Sequence, residues 1–232
     1  MFIPKVLREY YIGILKFYGK RGSEMMTFKH FTRKYFIMGS QDVPEDKNPV
    51  DILNQAVQAG VTAFEFRELG DDQLFGSDKL HLATELRKIC KQNNIPFIVN
   101  NDIDMLHLMN ADGIRVDQQY VDIHSLRERL PDKIIGLTMS REDQEDGGQM
   151  ALVDFVAIGP VYESLPHIKK EQPIGLDLTK QISATYPTIN VVSFGGIDTT
   201  NAKDVMDAGA SGVGVIHGIT EAQSIDEAVD QL

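Results

Sequence analysis

The segments SFGGID (193–198) and GVGVIHGIT (212–220) each end an apolar, strand-like run and open a helical pattern near the end of a 232-residue chain. Glycines at such turns let main-chain N–H groups face an anion, and the helix that follows adds partial positive charge at its N-terminus. Both segments therefore read as backbone seats for phosphate. Two such turns in succession, closing an alternating β/α pattern, are expected of the loops after strands 7 and 8 of a (β/α)8 barrel.

The rest of the chain fits that frame. From Tyr35 onward, short apolar runs alternate with longer amphipathic stretches, the order of βα units around a parallel sheet. Strands are predicted at 35–39, 62–67, 95–99, 113–116, 133–138, 154–159, 189–194 and 211–216. They alternate little between apolar and polar residues, as expected where both faces are covered. In the helical stretch NPVDILNQAVQAG (48–60), Pro49 suits a first turn and Gly60 a C-terminal cap. Ser77 precedes a second helix and Asp198-Thr199-Thr200 opens another. The Pro- and Gly-bounded stretch GPVYESLPHIKKEQPIG (159–175) is long enough to be a functional loop. The prediction is a single α/β domain, a TIM (β/α)8 barrel, over 35–232.

Composition narrows the partners. With 42% hydrophobic residues the chain can bury a full core. Residues 1–34 hold 8 Lys/Arg against 2 Glu, leaving 15 basic and 32 acidic residues beyond them. The acidic body excludes nucleic acid as an expected partner. In the basic opening, MFIPKVLREYYIGILKFYGKRGSE, the apolar run is too short and too interrupted by charge to span a membrane. It reads as an interfacial helix, a transit-like peptide, or sequence upstream of a start at Met25 or Met26; the intact mass of natively expressed protein distinguishes these. Cys90, the single cysteine, falls within a helical pattern and reads as a buried thiol of a cytoplasmic protein.

In a barrel of this kind, polar residues at the carboxyl ends of strands carry the chemistry. Strand 2 ends in Glu65-Phe66-Arg67-Glu68, strand 3 in Asn100-Asn101-Asp102, strand 4 in Asp117-Gln118-Gln119-Tyr120 and strand 5 in Thr138-Met139-Ser140. The loop after strand 6 adds Ser164, His167, Lys169 and Lys170. Cations, hydroxyls and two helix N-termini on one rim suit a substrate with more than one phosphate. For Arg67 the competing reading is a rim salt bridge to Glu65 or Glu68; for the two lysines it is a solvated loop face.

The motifs FEFREL (64–69), PFIVNND (96–102), ADGIRVDQQ (111–119), IIGLT (134–138), VAIGPVY (156–162) and FGGI (194–197) resemble, in order and spacing, those of thiamine phosphate synthase. The resemblance implies a TIM barrel that joins hydroxymethylpyrimidine diphosphate to a thiazole phosphate and releases pyrophosphate. It further implies a dissociative reaction, with Mg²⁺ as cofactor and basic groups stabilising the departing anion. By the same resemblance Glu65, Arg67, Asn100, Thr138, Ser164, His167 and Lys169 surround the pyrimidine diphosphate. Gly195, Gly196, Ile216 and His217 surround the thiazole phosphate.

The chain departs from the family pattern in one half of that site. Asn101 and Tyr120 stand where the family has metal-binding aspartates, Leu69 where it has a lysine, and Glu65 where it has a neutral glutamine. These replacements are expected to weaken Mg²⁺ binding and to make the diphosphate pocket less positive. Two functions follow: a synthase with a rebuilt or weakened metal site, or a regulatory paralogue that binds thiazole phosphate or thiamine phosphate without turnover. A thiazole tautomerase-like isomerase is a third reading, disfavoured because no histidine follows strand 5. Oligomeric state stays open, a homo-oligomer included.

Overall fold

A computed structural model describes residues 31–119, 121–140, 147–163 and 172–232. Most of the basic opening, with Met25 and Met26, therefore lies outside the described residues, as do Tyr120, Ser164, His167, Lys169 and Lys170.

The strands are β1 (Lys34–Met38), β2 (Ala63–Phe66), β3 (Phe97–Asn100), β4 (Gly113–Asp117), β5 (Ile134–Met139), β6 (Phe155–Ile158), β7 (Asn190–Phe194) and β8 (Gly212–Val215). They close in sequence order into one parallel barrel, with β8 returning to pair β1. Every predicted strand is present, with ends shifted by one or two residues. Lys34, counted with the basic opening, is the first residue of β1, and its Nζ donates to the carbonyl of Val229 at 2.6 Å.

Helices α1 (Pro49–Gln58), α2 (Gly76–Gln92), α3 (Ile103–Leu108), α4 (Ile123–Arg129), α5 (Gly147–Met150), α6 (Asp177–Thr185), α7 (Ala202–Asp207), α8 (His217–Thr220) and α9 (Ile225–Asp230) lie between or after the strands. Asn48 caps α1 by accepting from Val50 N at 2.8 Å, and Gly60 takes the positive φ of 104° that ends it. Ser77 lies inside α2, whose cap position, two residues earlier, is Phe75 with no side-chain bond. None of the helices among the described residues is long and apolar enough to cross a membrane.

Alternation along each strand divides the core in two. Outward residues such as Phe36, Phe64, Phe97 and Ile135 pack under the helices. Inward residues, Tyr35, Ile37, Ala63, Ile98, Ile134, Phe155, Ala157 and Val192, fill the barrel. The Phe155 ring spans this interior, 5.5 Å from the Tyr35 ring, and it passes where a side chain at position 136 would stand. A Cβ on Gly136 would meet that ring at 2.2 Å. Cys90 is fully buried, and burial foremost pushes its thiol up to about 12, as expected of a structural cysteine.

Gly136→Ala is expected to destabilise the barrel by about 1–3 kcal/mol through overpacking, and Phe155→Leu to relieve most of that loss in the double variant. Denaturant titrations of the three variants measure it; equal losses with and without Phe155 would contradict the packing described.

Candidate active site at the barrel mouth

The site is built on a charged layer inside the barrel. Glu65 on β2, Arg115 on β4 and Thr138 on β5 share the inward parity, so their side chains meet across the interior. Arg115 Nε donates to Glu65 Oε2 at 2.8 Å and Nη2 donates to Oε1 at 2.7 Å, a bidentate pair. Nη1 donates to Thr138 Oγ1 at 2.7 Å, and the Tyr35 hydroxyl donates to Glu65 Oε2 at 2.8 Å. The guanidinium lies 5.1 Å from the centroid of the Phe194 ring, within cation–π range.

Burial penalises the charge on Arg115, but the Glu65 carboxylate outweighs it and holds the guanidinium above its ordinary pKa. Burial, reinforced by the same carboxylate, pushes the Tyr35 phenol well up. Arg115 therefore stays charged and Tyr35 neutral. Glu65 has no exposed surface, and its charge is matched inside the barrel. The expectation that it makes the diphosphate pocket less positive is thereby corrected. Sequence reasoning missed Arg115, although the signal was present: an arginine inside the apolar run GIRV, at the same parity as a buried glutamate.

Above this layer sits Arg67. Its Nη2 donates to Asp42 Oδ1 at 3.3 Å, so the rim salt bridge exists with Asp42 rather than with Glu65 or Glu68. Asp42 is 5% exposed and also accepts from Gly39 N and Gln41 Nε2, both at 2.8 Å. Glu68 serves the loop, accepting from Ser40 N and Leu74 N at 2.7 Å. Two buried donors at the mouth, Arg67 Nε and Asn100 Nδ2, have no hydrogen-bond partner among the described residues. Unpaired buried donors are costly unless a ligand or water receives them.

At the β3–β4 rim Asn101 adopts a left-handed φ of 50°. Its Nδ2 donates to Asp117 Oδ2 at 2.8 Å, while its Oδ1 accepts from Asp117 N at 2.9 Å. The Asn101 amide thus holds a carboxylate one strand away. Asp102, by contrast, caps α3 through Met105 N and bonds Lys79 at 2.7 Å. Among the described residues no three His, Cys, Asp or Glu side chains gather as a metal cage.

The two glycine turns meet in space. A Cβ on Gly218 would lie 3.0 Å from the Ile197 carbonyl oxygen and 3.2 Å from Asp198 Cα. Gly195 and Gly196 take positive φ values of 92° and 64°, and a Cβ on either would strike the chain at Pro160 or Glu163. Asn201 orders the first turn, donating to Gly196 O at 2.9 Å and accepting from Asp198 N at 3.0 Å. His217 opens α8 with its Nε2 4.0 Å from Asp42 Oδ1, so the β8 turn reaches the cluster that holds Arg67. Ile216 packs against the barrel interior.

Arg67, Asn100, Thr138, Gly195, Gly196 and His217 therefore share one mouth, while Glu65 lies in the layer beneath it. That arrangement can hold two anionic groups, one by side chains at β2, β3 and β5 and one by main chain at β7 and β8.

A family model described as thiamine monophosphate synthase matches residues 34–219. The chain is 40% identical over 204 residues to the thiamine-phosphate synthase of Oceanobacillus iheyensis, covering 88% of this chain and 98% of that one. It is 39% identical over 198 residues to that of Staphylococcus haemolyticus, covering 85% and 93%. Among solved structures, thiamine phosphate pyrophosphorylase from Pyrococcus furiosus superposes with a TM-score of 0.75 at 23% identity over 89% of this chain and 96% of that one, a likeness of fold.

Replacing Asn101 by Gly removes its clasp on Asp117 but keeps the left-handed backbone unstrained, whereas Ala removes the clasp and adds strain. Asn101→Ala is expected to be about 1 kcal/mol less stable than Asn101→Gly in denaturant titration; equal stability would contradict the backbone described.

Proposed function

The chain belongs to the thiamine monophosphate synthase family, and we propose that it joins hydroxymethylpyrimidine diphosphate to thiazole phosphate, giving thiamine phosphate and pyrophosphate. The observation that carries this reading is the convergence of Arg67, Asn100 and Thr138 with both glycine turns on a single mouth. Arg67 Nε and Asn100 Nδ2, buried without a partner among the described residues, are donors suited to the diphosphate. The main chain at Gly195 and Gly196, with Ile216 and His217 beside it, seats the thiazole phosphate. Ser164, His167 and Lys169 are assigned to the diphosphate by family resemblance alone.

In this reaction the pyrimidine C–O bond breaks with its electron pair passing to the departing diphosphate, and the thiazole nitrogen forms the new C–N bond. No protein nucleophile is required. The chain's task is to hold two anions with their reacting ends facing and to stabilise the charge that develops on the leaving oxygen. Arg67, anchored through Nη2 by Asp42, supplies its guanidinium donors and Thr138 a hydroxyl.

Mg²⁺ fits this donor set in reduced form. Asp117, oriented by Asn101, offers one carboxylate, which suits an ion held otherwise by substrate phosphate oxygens and water. Bound there, Mg²⁺ would neutralise the diphosphate. The replacement of the family aspartate by Asn101 favours a second reading, a paralogue that binds the thiazole phosphate without turnover.

Purified protein given both substrates and Mg²⁺ is expected to form thiamine phosphate and pyrophosphate in equal amounts. Arg67→Ala is expected to lower kcat/KM by about 100-fold or more, as for loss of a charged transition-state contact, and Asp117→Asn to raise the Mg²⁺ needed for half-maximal rate. Calorimetric binding of thiazole phosphate with no turnover would instead establish the binding protein.

A further inference from the structure

We propose that Arg115 is a positioning residue for the coupling reaction: clamped by Glu65, it fixes the Thr138 hydroxyl as a hydrogen-bond donor to the departing diphosphate. The inference rests on the function proposed above and adds a role for a buried group that lies below the substrate-binding residues.

A guanidinium has only donors, whereas a threonine hydroxyl has one proton and an accepting oxygen. With Arg115 Nη1 donating to Thr138 Oγ1 at 2.7 Å, the hydroxyl's own hydrogen must turn away from the arginine. Thr138 is half-buried near the C-terminal end of β5, where the direction left to that hydrogen is the mouth. A hydroxyl whose oxygen is bonded to a cation is also polarised into a stronger donor. The hydroxyl keeps its proton throughout; it stabilises charge and transfers nothing.

Glu65 makes this arrangement rigid. Both of its oxygens engage Arg115, at Nε and Nη2, and the Phe194 ring covers the guanidinium. The arginine therefore cannot rotate to take the diphosphate itself, and its effect reaches the substrate only through Thr138. The pairing with Glu65 leaves one N–H of the arginine directed at Thr138.

The test is a cycle of four proteins: wild type, Arg115→Lys, Thr138→Val and the double variant. Lysine keeps the charge but lacks the planar fork that grips both Glu65 oxygens while a further N–H reaches Thr138. Each single change is expected to lower kcat by about 10- to 100-fold with little change in KM for thiazole phosphate, and the double variant to match Thr138→Val within about twofold. Thr138→Ser, which keeps the hydroxyl, is expected to retain most of the activity. An unchanged kcat in Arg115→Lys, or an equal loss with and without Thr138, would overturn the inference.

Calorimetry with inorganic pyrophosphate and Mg²⁺ on the same proteins gives an independent readout. Wild type that binds pyrophosphate but forms no thiamine phosphate overturns the proposed function, and the clamp is then decided by affinity: a coupled loss supports it, an additive or absent loss sinks it. Absence of pyrophosphate binding by wild type overturns it as well. If Arg115→Lys lacks a cooperative melt, Glu65→Gln replaces it in the cycle, with the same coupled loss expected and an additive loss contradicting.

Discussion

The Glu65–Arg115 pair inside the barrel is the constraint on which the mouth depends. A barrel of eight strands is ordinarily filled with apolar side chains, and two opposite charges there are tolerable only when each is fully satisfied. Here the glutamate accepts from both Arg115 and Tyr35, while the arginine uses Nε, Nη1 and Nη2 and lies against an aromatic ring. The pair gathers five strands, with Tyr35 on β1, Glu65 on β2, Arg115 on β4, Thr138 on β5 and Phe194 on β7. Below it lie the apolar residues that fill the barrel, and above it stand the polar groups of the mouth.

This layering separates the electrostatics of folding from those of binding. A net charge of −11 makes an anion site costly to maintain unless positive groups are concentrated locally. Asp42 anchors Arg67 from one side, His217 approaches the same carboxylate from β8, and the turn at Gly195 and Gly196 takes positive φ beside them. The two proposed half-sites thus share a seam at Asp42. In the proposed diphosphate half, Asn101 holds the Asp117 carboxylate through two hydrogen bonds.

Much of the architecture was legible in the sequence because strand and helix periods are local. The apolar runs marked each strand, and the glycine turns pointed to the loops after β7 and β8. The rim polar groups Arg67, Asn100 and Thr138 could be placed because parity and strand ends are readable one strand at a time. The pairing of Arg115 with Glu65 was not, since it depends on the curvature and stagger that turn the inward side chains of β2 and β4 toward each other past the intervening β3. Glu65 in isolation looked like an unfavourable charge at the mouth; only its partner 50 residues away turns it into structure. Asp42 and the Asn101–Asp117 clasp were missed for the same reason, as each joins segments whose distance is set by barrel closure.

The dependence of the mouth on that pair is tested most directly by the thermodynamic cycle of Arg115→Met, Glu65→Leu and their combination, measured by denaturant unfolding. Each single change should cost about 3–5 kcal/mol by leaving a buried charge unpaired, and the double variant should recover most of that loss. Losses that simply add would contradict a paired charge layer within the barrel.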